Sequence, residues 1–544
     1  LDDRLEHRRC ERIGQLLDVA PVALPKGVAA GHCLSPVKQS AKDIQTLDEP
    51  PQSARTLVMR RAYLILATAI ALGGCKPNGG DAIAVVVIGS DAPQIVDPAD
   101  GAMSMPRQVL MMNVAQGLVR FDPRGQIEPG LAERWNVSDD GLSYIFRITA
   151  DKWPDGRSVQ ARDVARLLTR QLRPASRNAA KDTLGAVQDI VAMTDRVIEI
   201  RLSAPRPNLL QLLAQPEFAL TREGLGTGPF QPEVRTAAKG AMPLLHVERV
   251  VDGPERRDLV DLSAAPASRA IAAFAAGKAD LILGGTFADL PLVRRARVTP
   301  SAVRFDPVAG LFGLVPTRRT GPLLNPALRS LLNQAIDRTA LVAALGVPGL
   351  VPRATLLQSG LEGLSAPVQP DWAVIAIADR RARLAAEAKA ITGKGPPIDL
   401  AIALPDSPGA TILFDRLVAD WGAIGVTLVR AGPDRIADLR LIDAVAPSAS
   451  GAWFVRSFRC TVVPLCSSEA DAAMDSARTA TVADQRAAFL FDANRLIEQQ
   501  ALFMPLAAPV RWSLVGNRVQ GFAENIVARH PLTGLGDRLS RDGQ

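Results

Sequence analysis

The chain has 544 residues, enough for two or more lobes that each bury a core. Apolar residues make up 47% and charged residues 22%, the balance of an ordinary globular protein rather than a disordered or membrane-embedded one. A formal net charge of +7 over this length, with no Lys/Arg run of the kind that tracks phosphates, excludes a nucleic-acid footprint.

Residues 1–58 open with Leu1 and carry little sustained hydrophobic periodicity. At Met59-Arg60-Arg61 two arginines lead an apolar stretch, Ala62 to Leu72, that ends in Gly73-Gly74-Cys75. That order is the one of a secretory signal peptide, and the stretch is too short to span a membrane comfortably as a helix. Leu72-Gly73-Gly74-Cys75 also resembles the lipobox of bacterial lipoproteins. The resemblance implies cleavage before Cys75, a diacylglycerol on its thiol, and a stable anchor once a second acylation joins the first. Residues 59–74 are therefore expected to be a lipoprotein signal peptide and 75–80 a flexible tether. The preceding 1–58 are expected to be a disordered extension created by start-site choice, with translation beginning at Met59. Loss of that prefix and lipidation of Cys75 leave Cys460 and Cys466 as the free thiols of an exported protein. A disulfide between them would stabilise by about 2 kcal/mol on the chain-entropy model.

Further along, Ala82 to Ile88 is a continuous β-branched run, as in a strand buried on both faces. Gln160 to Leu172 sets Val164, Leu167, Leu168 and Leu172 at helical spacing. Ile198, Ile200 and Leu202 alternate with polar neighbours and predict a half-buried strand. Ile398 to Leu404, a helix from about Thr411 to Trp421, and Gly425 to Val429 predict a β-α-β unit. Thr481-Val482-Ala483-Asp484 reads as a capping box opening a helix that carries Phe489, Ala493, Leu496 and Ile497. Strands alternating with helices predict an α/β chain with mixed sheets.

No catalytic or metal constellation emerges. After position 75 the histidines are His246 and His530, far apart, and there is no His-Glu-x-x-His, Cys-x-x-Cys or Gly-x-Ser-x-Gly. Gly224-Leu225-Gly226-Thr227-Gly228 is followed by Pro229 and Phe230 and reads as a turn. Neither an enzyme nor a metal or other cofactor is expected, although an envelope enzyme using a carboxylate pair is an alternative.

From Gln116-Gly117-Leu118-Val119-Arg120-Phe121-Asp122-Pro123 onward, the chain resembles the family 5 extracellular solute-binding proteins of peptide, oligopeptide and nickel ABC importers. The likeness continues through Ile127-Glu128-Pro129-Gly130-Leu131-Ala132-Glu133-Arg134-Trp135, Trp153-Pro154-Asp155-Gly156 and Gly226-Thr227-Gly228-Pro229-Phe230. It runs on to Ala276-Gly277-Lys278-Ala279-Asp280, Leu332-Asn333-Gln334-Ala335-Ile336-Asp337-Arg338 and Trp421-Gly422-Ala423-Ile424-Gly425-Val426, covering nearly all of 82–530. It implies a two-lobed periplasmic-binding-protein fold of type II in its large peptide-binding subclass. Lobe I would take 81–300 plus 505–544 and lobe II 301–504, closing on a hinge over a peptide-like solute. It further implies a periplasmic or envelope-anchored monomer delivering its solute to permease and ATPase subunits. A fold of this kind kept for sensing or protein interaction is a second reading.

Peptide-binding members carry an aspartate in lobe II that pairs with the ligand amine. Here that stretch reads Ala444-Val445-Ala446-Pro447-Ser448-Ala449-Ser450, with Ser448 near the aspartate's place and Asp443 the nearest acid. Arg456 is a candidate partner for a ligand carboxylate and Trp453 a candidate apolar wall. Trp453, Arg456 and Asp443 are thus the candidate ligand-binding residues.

Overall fold

The computed structural model describes residues 82–234, 244–250, 257–393 and 397–535; the extension, the signal segment and Cys75 lie outside these. The β-branched run forms Ile83–Ile88 at the centre of a seven-stranded mixed sheet, parallel to Arg257–Ala265 and Leu281–Thr286. Its side chains alternate between two cores, Val85 and Val87 into one and Val86 into the other. Burial on both faces is why every position is apolar. Arg511–Val515 joins the sheet antiparallel to Leu281–Thr286, and Val303–Phe305 closes its edge.

Between the first two central strands the chain builds a separate antiparallel sheet from Ala132–Val137, Ser143–Ile148, Val187–Thr194 and Val197–Leu202. Ile198, Ile200 and Leu202 bury on one face while Glu199 and Arg201 point away, matching the period-two pattern. The helix Ala161–Leu172 covers that face with Val164, Leu167 and Leu168. Two glycines tie this region to the large sheet. A Cβ on Gly226 or Gly228 would collide with the backbone of Val114 and Asn113, so the glycine-rich turn is a close-packing device.

The remaining chain forms a five-stranded sheet in the order Val426–Ala431, Ile398–Ala403, Leu439–Val445, Gly310–Pro316, Met504–Ala507. Its first two strands are parallel and joined by the helix Pro408–Gly422, which is the expected β-α-β unit. Ser407 caps that helix by accepting from Ala410 N, and Pro408 occupies its first turn. Helices Gly451–Arg456, Ser468–Thr479 and Ala483–Gln499 pack beside this sheet around Phe454, Met474 and Ile497. The expected capping box at Thr481 does not form. The last helix starts with Val482 as an extended cap residue that offers no side-chain acceptor.

The chain passes from the large sheet to the five-stranded sheet between Phe305 and Gly310, and back between Ala507 and Arg511. Both passages fall a few residues after the divisions at 300 and 505 suggested by the sequence, because Val303–Phe305 still pairs in the large sheet and Met504–Ala507 still pairs in the five-stranded one. One apolar cluster is continuous across them, running from Val86 and Ile282 through Phe312 to Trp421.

Trp421 is fully buried in this cluster, and its indole N–H donates to Leu332 O at 3.1 Å. Trp421→Ala is expected to cost about 3–5 kcal/mol in urea unfolding. Trp421→Phe, which loses the donor and part of the ring volume but keeps an aromatic side chain, is expected to cost about 1–3 kcal/mol. A Phe variant as stable as the parent would remove that hydrogen bond from the account.

Candidate ligand-binding site

A cavity of about 530 Å³ lies between the small antiparallel sheet's side of the molecule and the helices beside the five-stranded sheet. One wall comes from Asp182 and the segment Pro205-Arg206-Pro207-Asn208, where Pro207 disfavours a helical backbone at the arginine. Tyr144 donates its hydroxyl to Arg206 O at 2.8 Å, fixing the segment to the sheet behind it. The opposite wall comes from Glu362, the helix Gly451–Arg456, the Thr461–Val462 loop and the helices bearing Arg478 and Arg486.

Hydrogen bonds join the two walls around the cavity. Asn208 Nδ2 donates to Ser448 Oγ at 2.6 Å and Gln215 Nε2 to Pro447 O at 2.9 Å. Arg206 Nη2 donates to Arg478 O at 3.1 Å, and Arg456 Nη1 to Asp182 O at 2.8 Å. Cys460 and Cys466 are joined in a disulfide with Cα atoms 5.1 Å apart. The short loop that they close presents Thr461 and Val462 to the cavity, directly after Arg459.

The lining carries five arginines against three carboxylates. Burial, followed by the charges of Arg486, Arg456 and Arg478, draws the Arg206 guanidinium down to about 10, which still leaves it charged at neutral pH. Arg456 and Arg486 are lowered as well, burial being the largest cause for each. Burial pushes the Glu362 carboxyl above its ordinary range. Asp475 pairs with Arg459 at 2.7 Å and Arg478 at 3.7 Å.

Of the three candidates from sequence, Arg456 lines the cavity; Trp453 and Asp443 do not. Trp453 is half-buried against the helical core, edge-on to Phe454 with ring centroids 5.1 Å apart. Asp443 accepts from Arg511 Nη1 at 2.8 Å, and both side chains are largely buried. Its carboxyl is raised by burial against the pull of Arg511. Its partner lies on the strand that returns the chain to the large sheet, so this ion pair bridges the two sheets beside the crossing. Ser448 is buried and engaged by Asn208. Arg206, Arg486 and Glu362 belong to no local motif; the proline-flanked arginine was the one signal available. Both histidines among the described residues are taken as well, His246 by Asp261 at 2.8 Å and His530 by Asp306 at 3.0 Å. Among the described residues no His, Cys, Asp and Glu groups cluster as metal ligands would.

Mixed sheets linked by two passages of the chain, with a cavity between their flanks, are the architecture of a periplasmic solute-binding protein. The fold matches the Escherichia coli murein tripeptide binding protein MppA with a TM-score of 0.71, at 19% identity over 83% of this chain and 98% of that one. It matches Haemophilus influenzae OppA, solved in complex with RPPGFSPFR, with a TM-score of 0.70, at 18% identity and the same coverage. Residues 126–435 match the model of the bacterial extracellular solute-binding proteins, family 5 Middle, and the chain belongs to that family. A probable di/tripeptide-binding protein 5 of Pseudomonas aeruginosa is 24% identical over 479 residues, 76% of this chain and 88% of that one. The dipeptide-binding protein DppE of Bacillus subtilis is 27% identical over 186 residues, 28% of this chain and 34% of that one. These relatives are binding proteins, and the chain has a solute-binding role.

Asp443→Asn leaves Arg511 largely buried without its counter-charge. It is expected to lower the free energy of unfolding by about 3 kcal/mol in a denaturant titration. A variant indistinguishable from the parent would show that the backbone acceptors of Arg511 suffice.

Proposed function

We propose that this protein is the substrate-capturing component of an ABC importer, enclosing a small peptide-like solute in the cavity between two lobes. The lobes are the large and small sheets on one side and the five-stranded sheet with its helices on the other. The two passages, Asp306 to Ala309 and Ala508 to Val510, serve as the hinge. The observation that carries the proposal is the cavity itself. At about 530 Å³ it suits a ligand of two or three residues, and its two walls meet through side-chain hydrogen bonds from opposite lobes. The relatives' descriptions as dipeptide- and di/tripeptide-binding proteins support a peptide-like solute.

In this reading no bond of the solute is made or broken. Arg206, Arg456 and Glu362 bind, and closure completes the site by bringing them onto one ligand. The solute shifts the open–closed equilibrium only through its tighter binding to the closed form. Export through the 59–74 segment and lipidation of Cys75 would hold the protein at the outer face of the membrane. There the closed form would meet the permease and its ATPase.

The test is a thermal-shift screen of short peptides, followed by small-angle scattering with any solute that stabilises. A rise in melting temperature with a fall in the radius of gyration is expected; stabilisation without compaction would remove the two-lobe closure. Ser448→Ala removes a hydrogen bond made only when the walls meet. It is expected to weaken binding about five-fold, the equivalent of about 1 kcal/mol, in calorimetric titration. Unchanged affinity would place Ser448 outside the closing contact.

A further inference from the structure

Among the described residues three arginines in the cavity form no salt bridge, although the Asp182 carboxylate acts on Arg456 from a longer distance. Arg206 donates only to the backbone carbonyls of Pro205 and Arg478, and Arg456 only to the carbonyl of Asp182. Arg486 has a buried Nε without any hydrogen-bond partner. Among the described residues, none of the three has a carboxylate within salt-bridge distance. Arg459 and Arg478 do, but they share the single carboxylate of Asp475. Cations held together in a partly dehydrated space disfavour one another and the folded state. Such a set is retained where an incoming anion offsets the cost.

Resting on the reading of this cavity as the solute site, we infer that the captured solute carries at least two carboxylates and needs no free amine. The number follows from the lining. Five arginines face three carboxylates, so two positive charges remain for a ligand to neutralise. The geometry fits as well. Arg206 projects from one lobe and Arg456 and Arg486 from the other, so a diacid that reaches both walls replaces repulsion across the cleft with two bridges. Guanidinium groups are suited to this because each offers a planar fork to one carboxylate. Anion binding thereby becomes the force that closes the walls. A neutral peptide in the same volume would leave the three cations facing each other with less water between them.

The probes are a graded series of one size: N-acetyl-Ala-Glu with two carboxylates, N-acetyl-Ala-Gln with one, N-acetyl-Ala-Gln amide with none, and Ala-Ala-Ala and Lys-Ala-Ala with free amines. Glycerol 2-phosphate reports whether a phosphate dianion substitutes. Calorimetric titration is expected to rank the diacid first, with each lost carboxylate costing about ten-fold or more in Kd. The diacid's affinity should fall as salt is raised. Arg206→Gln and Arg486→Gln are each expected to weaken the diacid at least ten-fold while raising the melting temperature of the unliganded protein. A merely structural arginine would lower it. Equal binding of the neutral amide, or preference for Ala-Ala-Ala or Lys-Ala-Ala, would overturn the diacid inference and leave solute capture standing. Preference for glycerol 2-phosphate would overturn the carboxylate assignment. No binding by any member would remove the capture reading, and this inference with it.

Discussion

The two lobes are connected through very few residues, and what surrounds those residues decides how the molecule can move. Asp306, immediately after the edge strand Val303–Phe305 of the large sheet, accepts from Asn525 N and engages His530, anchoring one end of the first passage. Arg511, at the end of the second passage, binds both the carboxylate and the carbonyl of Asp443 on the five-stranded sheet. The passages are therefore pinned at defined points, with only short segments left between them for the proposed hinge. Behind them the apolar cluster from Val86 to Trp421 is continuous, with Gly409 packed against the backbone of Phe287 where no side chain would fit.

The contacts on the opposite side differ in kind. Around the cavity the walls meet through amide, hydroxyl and guanidinium groups, each of which water can satisfy when the walls part. Apolar burial on one side and exchangeable hydrogen bonds on the other give a fold that can open along one edge without exposing its core. The net worth of each exchangeable bond is about 1 kcal/mol, so a handful biases closure without locking it. In the proposed closure a ligand would then have only a small gap to overcome, which is the condition for reversible capture.

Much of this architecture was legible from residue pattern. Val85 to Val87 announced a doubly buried strand, and Ile198, Ile200 and Leu202 a half-buried one, because burial of alternate side chains leaves a two-residue period in the sequence. The β-α-β unit around Trp421 was readable for the same reason. The site was much less so. Asp443 looked like an available acid because its partner Arg511 lies 68 residues away, and pairing at that distance leaves no local mark. Trp453 sits one residue before Phe454, and sequence alone does not say which side of so short a helix turns inward. Thr481 offered a cap, yet the chain begins its helix one residue later, a choice between near-equal alternatives at a helix end.

Arg456 was found from sequence, but what gives it meaning came from elsewhere in the chain. Arg206 follows the small sheet, Arg486 lies in the last long helix, and the two are brought toward Arg456 only by the fold. Each one alone would pass for a solvated surface arginine. Together they form a concentration of charge whose cost is set by the others, since Arg486, Arg456 and Arg478 all act on Arg206. That mutual cost is greatest in the closed arrangement, because parting the walls separates Arg206 from the rest, while Arg456, Arg478 and Arg486 stay together on one wall. In the proposed reading the same residues would therefore favour opening when the cavity is empty and, once an anion bridges them, closure. Under the proposed capture of a diacid, electrostatic repulsion across the cleft is the element that would make closure conditional on cargo, and the polar rim would need only to be weak enough not to override it.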